Sequence, residues 1–261
     1  MKIDEQISRE SGVHGQQWNS MHEGYFADSV IAGPFVETIT RYLSGSDADI
    51  IVDLGGGTGF ILLDLIAKGA TANMAPVNLD CSATQLDAME KSGITCINGL
   101  ISDFTRNDIA ALDKRIFFIM RSVLHYFGRD GLLSALCHIR RQARKDEMFI
   151  HQTACFESAT NARCINTLYQ EMGTPKWYPT ISKLRDSMVG TNWQVMDMFP
   201  APQLKLTSSE LGLRYGLDSQ ALTKICNRII REFGETENVF QWEQNGFTAY
   251  LHYCICIAKA A

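Results

Sequence analysis

A dense run of glycines is the clearest candidate for chemistry in this chain of 261 residues. In the segment DIIVDLGGGTGF, glycine occupies four of five consecutive positions directly after a short apolar stretch. Glycine is costly to order inside an element, so this cluster indicates a loop whose backbone turns tightly or approaches a ligand closely. The spacing is G-x-G-x-G from Gly55, and Phe60 stands where a dinucleotide-binding loop needs its third glycine. The loop therefore favours a nucleotide-like ligand other than a dinucleotide.

A carboxylate and an imidazole add to this chemistry. Asp53 lies two positions before Gly55, where its charge can pair with a ligand's ammonium group and would repel a phosphate. This position favours a ligand with an amino-acid moiety. An imidazole ordinarily titrates near neutrality, so His125, in the segment MRSVLHYFGRD, is a candidate general base for a phenol or an acid. A structural role for this histidine, with its ring hydrogen-bonded locally, stays open.

The elements around these residues alternate between strands and helices. Apolar and β-branched runs predict five strands, in the segments DIIVDL, APVNLD, ITCING, RIFFIM and MFIHQT. Apolar periodicity predicts helices between them, in the segments FILLDLIAK, SATQLDAMEKSG and DGLLSALCHIRRQAR. Strands and helices in this order predict an α/β fold with a Rossmann-like, doubly wound, mostly parallel sheet.

The two ends of the chain depart from this alternation. Residues 15–44 predict two helices, which we interpret as a lid over the site. After the fifth strand, helical patterns at about 157–190 and 218–233 flank a strand in NWQVMDMF, and a last strand follows in FTAYLHYCICIA. These two late strands predict an antiparallel hairpin at one sheet edge, which gives seven strands in all.

The composition limits the choice of partners and compartment. A formal net charge of −5 gives no general attraction to nucleic acid or to an anionic membrane, so we expect neither as a partner. The polar start MKIDEQISRESG lacks the apolar core of a secretory signal, and no stretch approaches the length of a membrane span, so a cytoplasmic location is expected. The eight cysteines include no C-x-x-C pair, and we expect no metal site.

Four segments in order resemble the motifs of class I S-adenosylmethionine-dependent methyltransferases. VDLGGGTG resembles motif I of that family, and VNLD places Asp80 where the family has an acidic residue that binds the ribose hydroxyls. LISDF offers Asp103 where an acidic residue often approaches the adenine amino group, and MRSVLHYF resembles the segment with a recurring Leu-His pair. The resemblance spans about residues 50–153.

The resemblance implies S-adenosylmethionine as cofactor and a set of residues around it. Arg121 at the end of the fourth strand is expected to meet the cofactor carboxylate or an acidic substrate. The full set of expected cofactor contacts is Asp53, Gly55, Gly56, Gly57, Gly59, Asp80, Cys81, Ser102, Asp103, Phe104 and Arg121.

The segment around His125 also resembles the LH-x-W-x-x-D segment of small-molecule O-methyltransferases, whose histidine is the general base. This chain departs from it with Tyr126 and Phe127 in place of Asp and Trp, and Asp130 is shifted by one position. Aromatic and polar residues elsewhere are candidates for the acceptor walls, and packing in the core is the alternative for each of them: Trp18, His22, Tyr25, Phe26, His151, Gln152, Tyr169, Trp177 and Tyr178.

The resemblance therefore implies a lid at 1–44 and a class I methyltransferase domain at 45–261 with its two helical insertions. The implied activity is direct in-line methyl transfer to a small-molecule acceptor, with oxygen favoured over nitrogen or carbon. A nicotinamide-dependent oxidoreductase and a non-catalytic S-adenosylmethionine-binding regulatory protein are the alternatives. A nucleic-acid methyltransferase is disfavoured because MRSV replaces the Pro-Pro tetrad of adenine enzymes and the chain has no Pro-Cys pair. Whether the protein forms a homodimer stays open.

Overall fold

A computed structural model of the chain describes residues 21–87, 89, 93–244 and 246–261. A short 3-10 helix, Met21–Ala27, comes first. In chain order the elements that follow are α1 Ser29–Leu43, β1 Ile50–Leu54, α2 Phe60–Ala67, β2 Ala75–Asp80, α3 Ala83–Asp87, β3 Thr95–Asn98, α4 Arg106–Ile109, β4 Ile116–Arg121, a 3-10 helix Leu124–Phe127, α5 Gly128–Gln142, β5 Met148–Ala154, α6 Ala159–Glu171, α7 Ile181–Gly190, β6 Trp193–Thr207, α8 Ser208–Tyr215, α9 Ser219–Phe233, β7 Phe240–Glu243 and β8 Gly246–Ala260.

The strands of the described residues form one sheet. Strands β3-β2-β1-β4-β5 are parallel, and β8 and then β6 add to this edge in antiparallel pairing. The fold class predicted from the sequence is confirmed. The sheet has an eighth strand that the sequence does not predict, β7, which pairs with the start of β8 on the same edge as β5.

Each face of the parallel strands is buried under helices, which explains why these strands are apolar throughout. Helices α1 and α2 cover one face, with Phe35, Val36 and Leu62 fully buried against it. Helices α5 and α7 cover the other face, where Leu136 and Leu184 are fully buried. At about 25 cal/mol per Å² of apolar surface, burial of this kind stabilises the three-layer arrangement that parallel sheets require.

Strands β6 and β8 are longer than their neighbours, and this difference creates space for a site. Each has 15 residues, against four to seven in the parallel strands. Because Ala154 at the end of β5 pairs with Tyr253, the first residues of β8 extend past the carboxyl edge of the sheet. This overhang packs against α6, α8 and α9 in a separate apolar core that includes Leu206, Leu251 and Phe240.

The predicted lid is only partly within the described residues. Trp18 lies outside them, whereas Met21–Ala27 forms the short 3-10 helix and Ser29–Leu43 forms a long helix that begins at the Asp28 cap. The predicted helices at about 157–190 and 218–233 correspond to α6, α7 and α9. Within the described part of the chain, none of the helices combines the length and the apolar character needed to cross a bilayer.

Candidate functional site

The glycine-rich loop connects β1 to α2, as its sequence predicts. Gly55 and Gly57 have φ angles of +76° and +56°, which other residues adopt only with strain. Gly56 has an ordinary φ but no space, because an added Cβ would lie against Asn78 Oδ1 and 2.7 Å from the Asp53 carboxyl group. The loop thus turns tightly over two buried polar side chains, one from each neighbouring strand.

Asp53 is the most strongly perturbed acid of this loop. Its side chain is 2% exposed, and burial raises the pKa of its carboxyl group to about 7. The nearby charge of Asp80 raises this pKa further, whereas the Arg121 guanidinium lowers it. A buried carboxylate is stabilised by a cation, so this position is suited to an ammonium group of a ligand.

Asp80 holds the loop from the end of β2. Its Oδ2 accepts a hydrogen bond from the Gly57 N–H at 2.8 Å, and its Oδ1 accepts one from the Ser82 N–H at 2.8 Å. Burial raises the pKa of this carboxyl group, and these hydrogen bonds oppose the shift. The Cys81 N–H and thiol also donate to this carboxylate, so four protein donors surround it at the end of β2.

Several buried polar atoms near Asp53 lack a hydrogen-bond partner of good geometry, and they lie on the same face of the sheet as Asp53. The strand register places Asn78, Asp53, Arg121 and Gln152 on this face. Among the described residues, Asn78 Oδ1, Arg121 Nε and both amide atoms of Gln152 are buried without a hydrogen bond of good geometry, although the Tyr25 hydroxyl lies beside the amide. Buried unpaired polar groups are costly, so this row fits a polar ligand that would satisfy them.

Arg121 has a structural contact that the sequence does not reveal. Its guanidinium donates to the backbone carbonyls of Phe26 at 3.0 Å and Tyr25 at 3.5 Å, and it lies 5.6 Å from the centre of each of these rings. Burial lowers the pKa of this arginine. The residue therefore ties the first 3-10 helix to the sheet, and its Nε has no hydrogen-bond partner among the described residues.

Apolar residues after β3 and β4 pack against the side of the glycine loop. An added Cβ at Gly55 would lie 2.8 Å from Val123 and 3.3 Å from Ile101, so both apolar side chains contact the loop. Of the predicted contacts near them, Ser102 is half-buried and Asp103 is exposed. Phe104 instead points into the core, where its ring meets His138 edge-to-face at 5.3 Å. Cys81, next to Asp80, is exposed.

The segment after β4 has strained backbone. Ser122 has a φ angle of +62°, which is uncommon for a residue with a side chain. Its N–H donates to the Gln152 carbonyl at 2.8 Å, and its Oγ shares a hydrogen bond with the Tyr253 hydroxyl at 2.7 Å. Strain of this kind persists where surrounding contacts hold it, and it is concentrated at functional sites.

A small cavity lies beyond this segment, under the overhang of β6 and β8. It has about 20 Å³ of space open to the centre of a water molecule, and Ser122 and His125 form one side of it. Apolar walls come from Phe26, Leu204, Leu206 and Leu251. The remaining walls are phenols and cations, from Tyr126, Tyr169, Lys176, Tyr178, Arg214 and Tyr253.

His125 is buried in this wall. It is 5% exposed, and its ring stacks on Tyr178 with centroids 5.3 Å apart and also contacts Tyr126 at 4.1 Å. Its backbone carbonyl accepts a hydrogen bond from the Trp177 N–H at 3.1 Å. The imidazole therefore faces the cavity from a fixed position.

The other predicted wall residues divide into two groups. Tyr169, Tyr178 and Phe26 line the cavity, and Tyr25 stacks on Tyr253 at 5.8 Å while its hydroxyl donates to the Pro202 carbonyl. His151 lies on the opposite sheet face from Gln152, because successive strand residues alternate.

His151 and Trp177 pack away from the cavity. The His151 ring contacts Phe149 at 4.9 Å, its Nδ1 pairs with Thr153 Oγ1 at 2.7 Å, and burial lowers its pKa to about 3. Trp177 packs against the core under α5 and α7. The side chain of His22 is outside the described structure.

Sequence reasoning missed Ser122, Tyr126, Lys176, Arg214 and Tyr253 as cavity residues. Lys176 lies within the aromatic segment GTPKWYPT, which the sequence singles out for its aromatic residues alone. Tyr253 belongs to an apolar strand, and nothing in its neighbours along the chain shows that it would face a cavity.

Among the described residues, no group of three or more His, Cys, Asp or Glu side chains is arranged to hold a metal ion.

Comparison with known proteins identifies the architecture. No protein-family model and no curated protein sequence matches the chain. Solved structures do match: a candidate methyltransferase of Bacillus halodurans has a TM-score of 0.65 at 10% identity, covering 87% of this chain and 99% of that one. The chain has the class I methyltransferase fold.

Two further structures show the range of activities that this fold supports. The 1,6-didemethyltoxoflavin N1-methyltransferase of Burkholderia thailandensis, with bound 1,6-didemethyltoxoflavin and S-adenosylhomocysteine, has a TM-score of 0.56 at 13% identity, covering 100% of this chain and 91% of that one. A (4+2)-cyclase has a TM-score of 0.53 at 11% identity, covering 88% and 80%. At these identities the likeness extends to the fold, and the function depends on the site.

The tight packing around Gly56 predicts a steric effect on the loop. We expect Gly56→Ala to weaken S-adenosylhomocysteine binding at least tenfold in calorimetry, because the new methyl group displaces the Asp53 carboxyl or the Asn78 amide. The matched control is Gly190→Ala at the end of α7, where an added Cβ meets nothing within 4 Å and affinity should not change. Wild-type affinity in Gly56→Ala would show that the loop does not bind this ligand in the described conformation.

The raised pKa of Asp53 predicts a pH-dependent stability of the ligand-free protein. The folded protein keeps a proton that the unfolded chain releases near the ordinary pKa of 3.8, so burial of this group costs stability increasingly from about pH 4 to pH 7. We expect Asp53→Asn to gain stability over the wild type across this range in urea denaturation, with a constant difference above it. The exposed Asp113→Asn serves as control. A pH-independent difference for Asp53→Asn would contradict the assignment.

Proposed function

We propose that the protein is an S-adenosylmethionine-dependent methyltransferase that methylates a small molecule, with oxygen as the favoured acceptor atom. The observation that carries this proposal is the segment Ser122–His125. Val123 contacts the glycine loop on one side, whereas Ser122 and His125 line the cavity on the other. A cofactor on the loop and an acceptor in the cavity would therefore meet at this segment, at the carboxyl edge of the sheet where ligands of doubly wound folds bind.

The residues around the loop fit this cofactor by their chemistry. Asp53 would bind the ammonium group, Asp80 the ribose hydroxyls, and Arg121 Nε or the Gln152 amide the carboxylate. Ile101 and Val123 offer an apolar surface for the adenine, with Ser102 and Asp103 near its edge. When bound, S-adenosylmethionine supplies a methyl group that is already activated by its sulfonium charge.

With an activated donor, the protein's own task is chiefly to position the acceptor and to exclude water. The aromatic walls of the cavity are suited to both. His125 would accept the proton of an acceptor hydroxyl, since its ring is held in the cavity wall by Tyr126 and Tyr178. A phenol oxygen is favoured as acceptor because its proton must be removed as the methyl group is transferred.

The alternatives make different predictions about ligands. A nicotinamide-dependent oxidoreductase would share the sheet, but Phe60 stands in the place of its third glycine. A non-catalytic S-adenosylmethionine-binding protein would share the loop. The likeness to a (4+2)-cyclase adds a third alternative, in which the fold holds a cofactor or substrate without methyl transfer.

Ligand binding and turnover test the proposal together. We expect S-adenosylmethionine and S-adenosylhomocysteine, and not NAD, to raise the melting temperature, and Asp80→Ala to weaken their binding by about 1 to 3 kcal/mol in calorimetry through the lost ribose hydrogen bonds. Release of S-adenosylhomocysteine with small phenols and acids would separate an enzyme from a regulator or a cyclase. Stabilisation by NAD alone would overturn the proposal.

The position of His125 predicts a catalytic effect without a binding effect. We expect His125→Ala to lower the methyl-transfer rate by about 10²-fold or more, with nearly unchanged affinity for S-adenosylhomocysteine. His125→Gln, which keeps a planar polar side chain, controls for packing against Tyr178. Equal losses of stability in both variants with little loss of rate would instead assign the residue a structural role.

A further inference from the structure

Ser122, the first residue after β4, joins the two parts of the candidate site. Val123, the next residue, packs against Gly55 of the glycine loop, whereas Ser122 and His125 line the cavity. A rotation of the backbone at Ser122 turns the residues that follow it, so both contacts depend on its conformation. The conformation of this one residue therefore sets the position of the whole segment.

The backbone of Ser122 is strained and is held from two other strands. Its φ angle of +62° is unfavourable for a residue with a side chain. Its N–H donates to the Gln152 carbonyl on β5 at 2.8 Å, and its Oγ shares a hydrogen bond with the Tyr253 hydroxyl on β8 at 2.7 Å. A change in φ rotates the side chain about the N–Cα bond and would carry Oγ away from Tyr253. The bond to Tyr253 therefore opposes relaxation of the strain.

Tyr253 is itself rigidly placed. It is 4% exposed, and its ring stacks on that of Tyr25 with centroids 5.8 Å apart. Its backbone pairs with Ala154 on β5 and with Ala201 on β6, so β8 has a neighbouring strand on each side at this point. Strained conformations persist where the surrounding structure holds them firmly, and a hydroxyl on such a strand can do so.

We propose that Tyr253 is a positioning residue, whose hydroxyl holds Ser122 in its left-handed conformation. The position of Ser122 in turn places Val123 on the glycine loop and His125 in the cavity wall. This inference rests on the proposed function, and it requires no contact between Tyr253 and either ligand. A purely structural role for Tyr253, in the apolar core under the overhang, would leave the segment in place when the hydroxyl is removed.

The position of the His125 ring tests this role without any ligand. The ring centre lies 4.1 Å from that of Tyr126 and 5.3 Å from that of Tyr178, so a small movement changes the ring-current shift of its protons. We expect Tyr253→Phe, which removes only the hydroxyl, to shift the His125 Cε1–H resonance in a ¹H–¹³C spectrum. This resonance is assigned by its loss in His125→Gln. The resonance of His151, on the opposite face of the sheet, should not move.

Glycine at position 122 separates positioning from packing. Glycine adopts a positive φ angle without strain, so Ser122→Gly keeps the segment in place without the hydrogen bond. We expect Tyr253→Phe and Ser122→Ala each to weaken S-adenosylhomocysteine binding about fivefold in calorimetry, because each removes the bond and keeps the strain. Adding Ser122→Gly to Tyr253→Phe should restore both the affinity and the His125 resonance. Glycine would not restore a lost packing contact.

Tyr250→Phe is the matched control, because Tyr250 is half-buried on the same strand and its side chain lies on the opposite face of the sheet from Tyr253. We expect it to change neither the His125 resonance nor the affinity. If Tyr253→Phe does not fold, Ser122→Ala takes its place in the comparison with Ser122→Gly.

Two results would overturn the inference. One is an unchanged His125 resonance in Tyr253→Phe, and the other is a double variant, Tyr253→Phe with Ser122→Gly, that binds S-adenosylhomocysteine more weakly than Tyr253→Phe alone. Failure of the wild type to bind S-adenosylhomocysteine would instead overturn the proposed function, and the His125 resonance would still decide whether Tyr253 positions the segment.

Discussion

The desolvation of one carboxyl group, that of Asp53, is the constraint on which the site depends. Its burial under the glycine loop is possible because Gly56 has no side chain to displace it, and the loop in turn is held by the Asp80 carboxylate. A group buried in this way favours a positively charged partner, which a ligand can supply. Under the proposed function, the same packing that shapes the loop also selects a ligand with a positive charge.

The unequal lengths of the strands create the cavity of the candidate site. The five parallel strands end where the loops after them begin, whereas β6 and β8 continue past this edge and carry helices with them. A cavity forms between the overhang and the segment after β4, and Ser122 joins the two through Tyr253. The site is thus built from a common sheet and from additions at its carboxyl edge, which is where proteins of one fold acquire different substrates.

The likeness to both a methyltransferase and a (4+2)-cyclase shows how little the sheet alone decides about chemistry. What distinguishes this chain is the content of its cavity. A buried lysine and an arginine meet at Tyr215, and a histidine is stacked between tyrosines. The polar row from Asn78 to Gln152 begins under the glycine loop. Under the proposed function, these groups limit the charge and the shape of the ligand.

The sequence by itself determined the order of the elements and the identity of the loop, because hydrophobic periodicity and glycine spacing are local properties of the chain. Asp53, Asp80 and His125 were predicted as site residues from their places after predicted strands and from the family resemblance, and their roles stay predictions. The face on which His151 lies, the contact of Arg121 with the first 3-10 helix, and the meeting of Lys176, Arg214 and Tyr253 were decided only by the tertiary structure. They depend on strand register and on the packing of segments far apart in the chain, such as Ser122 and Tyr253, which are 131 positions apart. No local pattern contains this information.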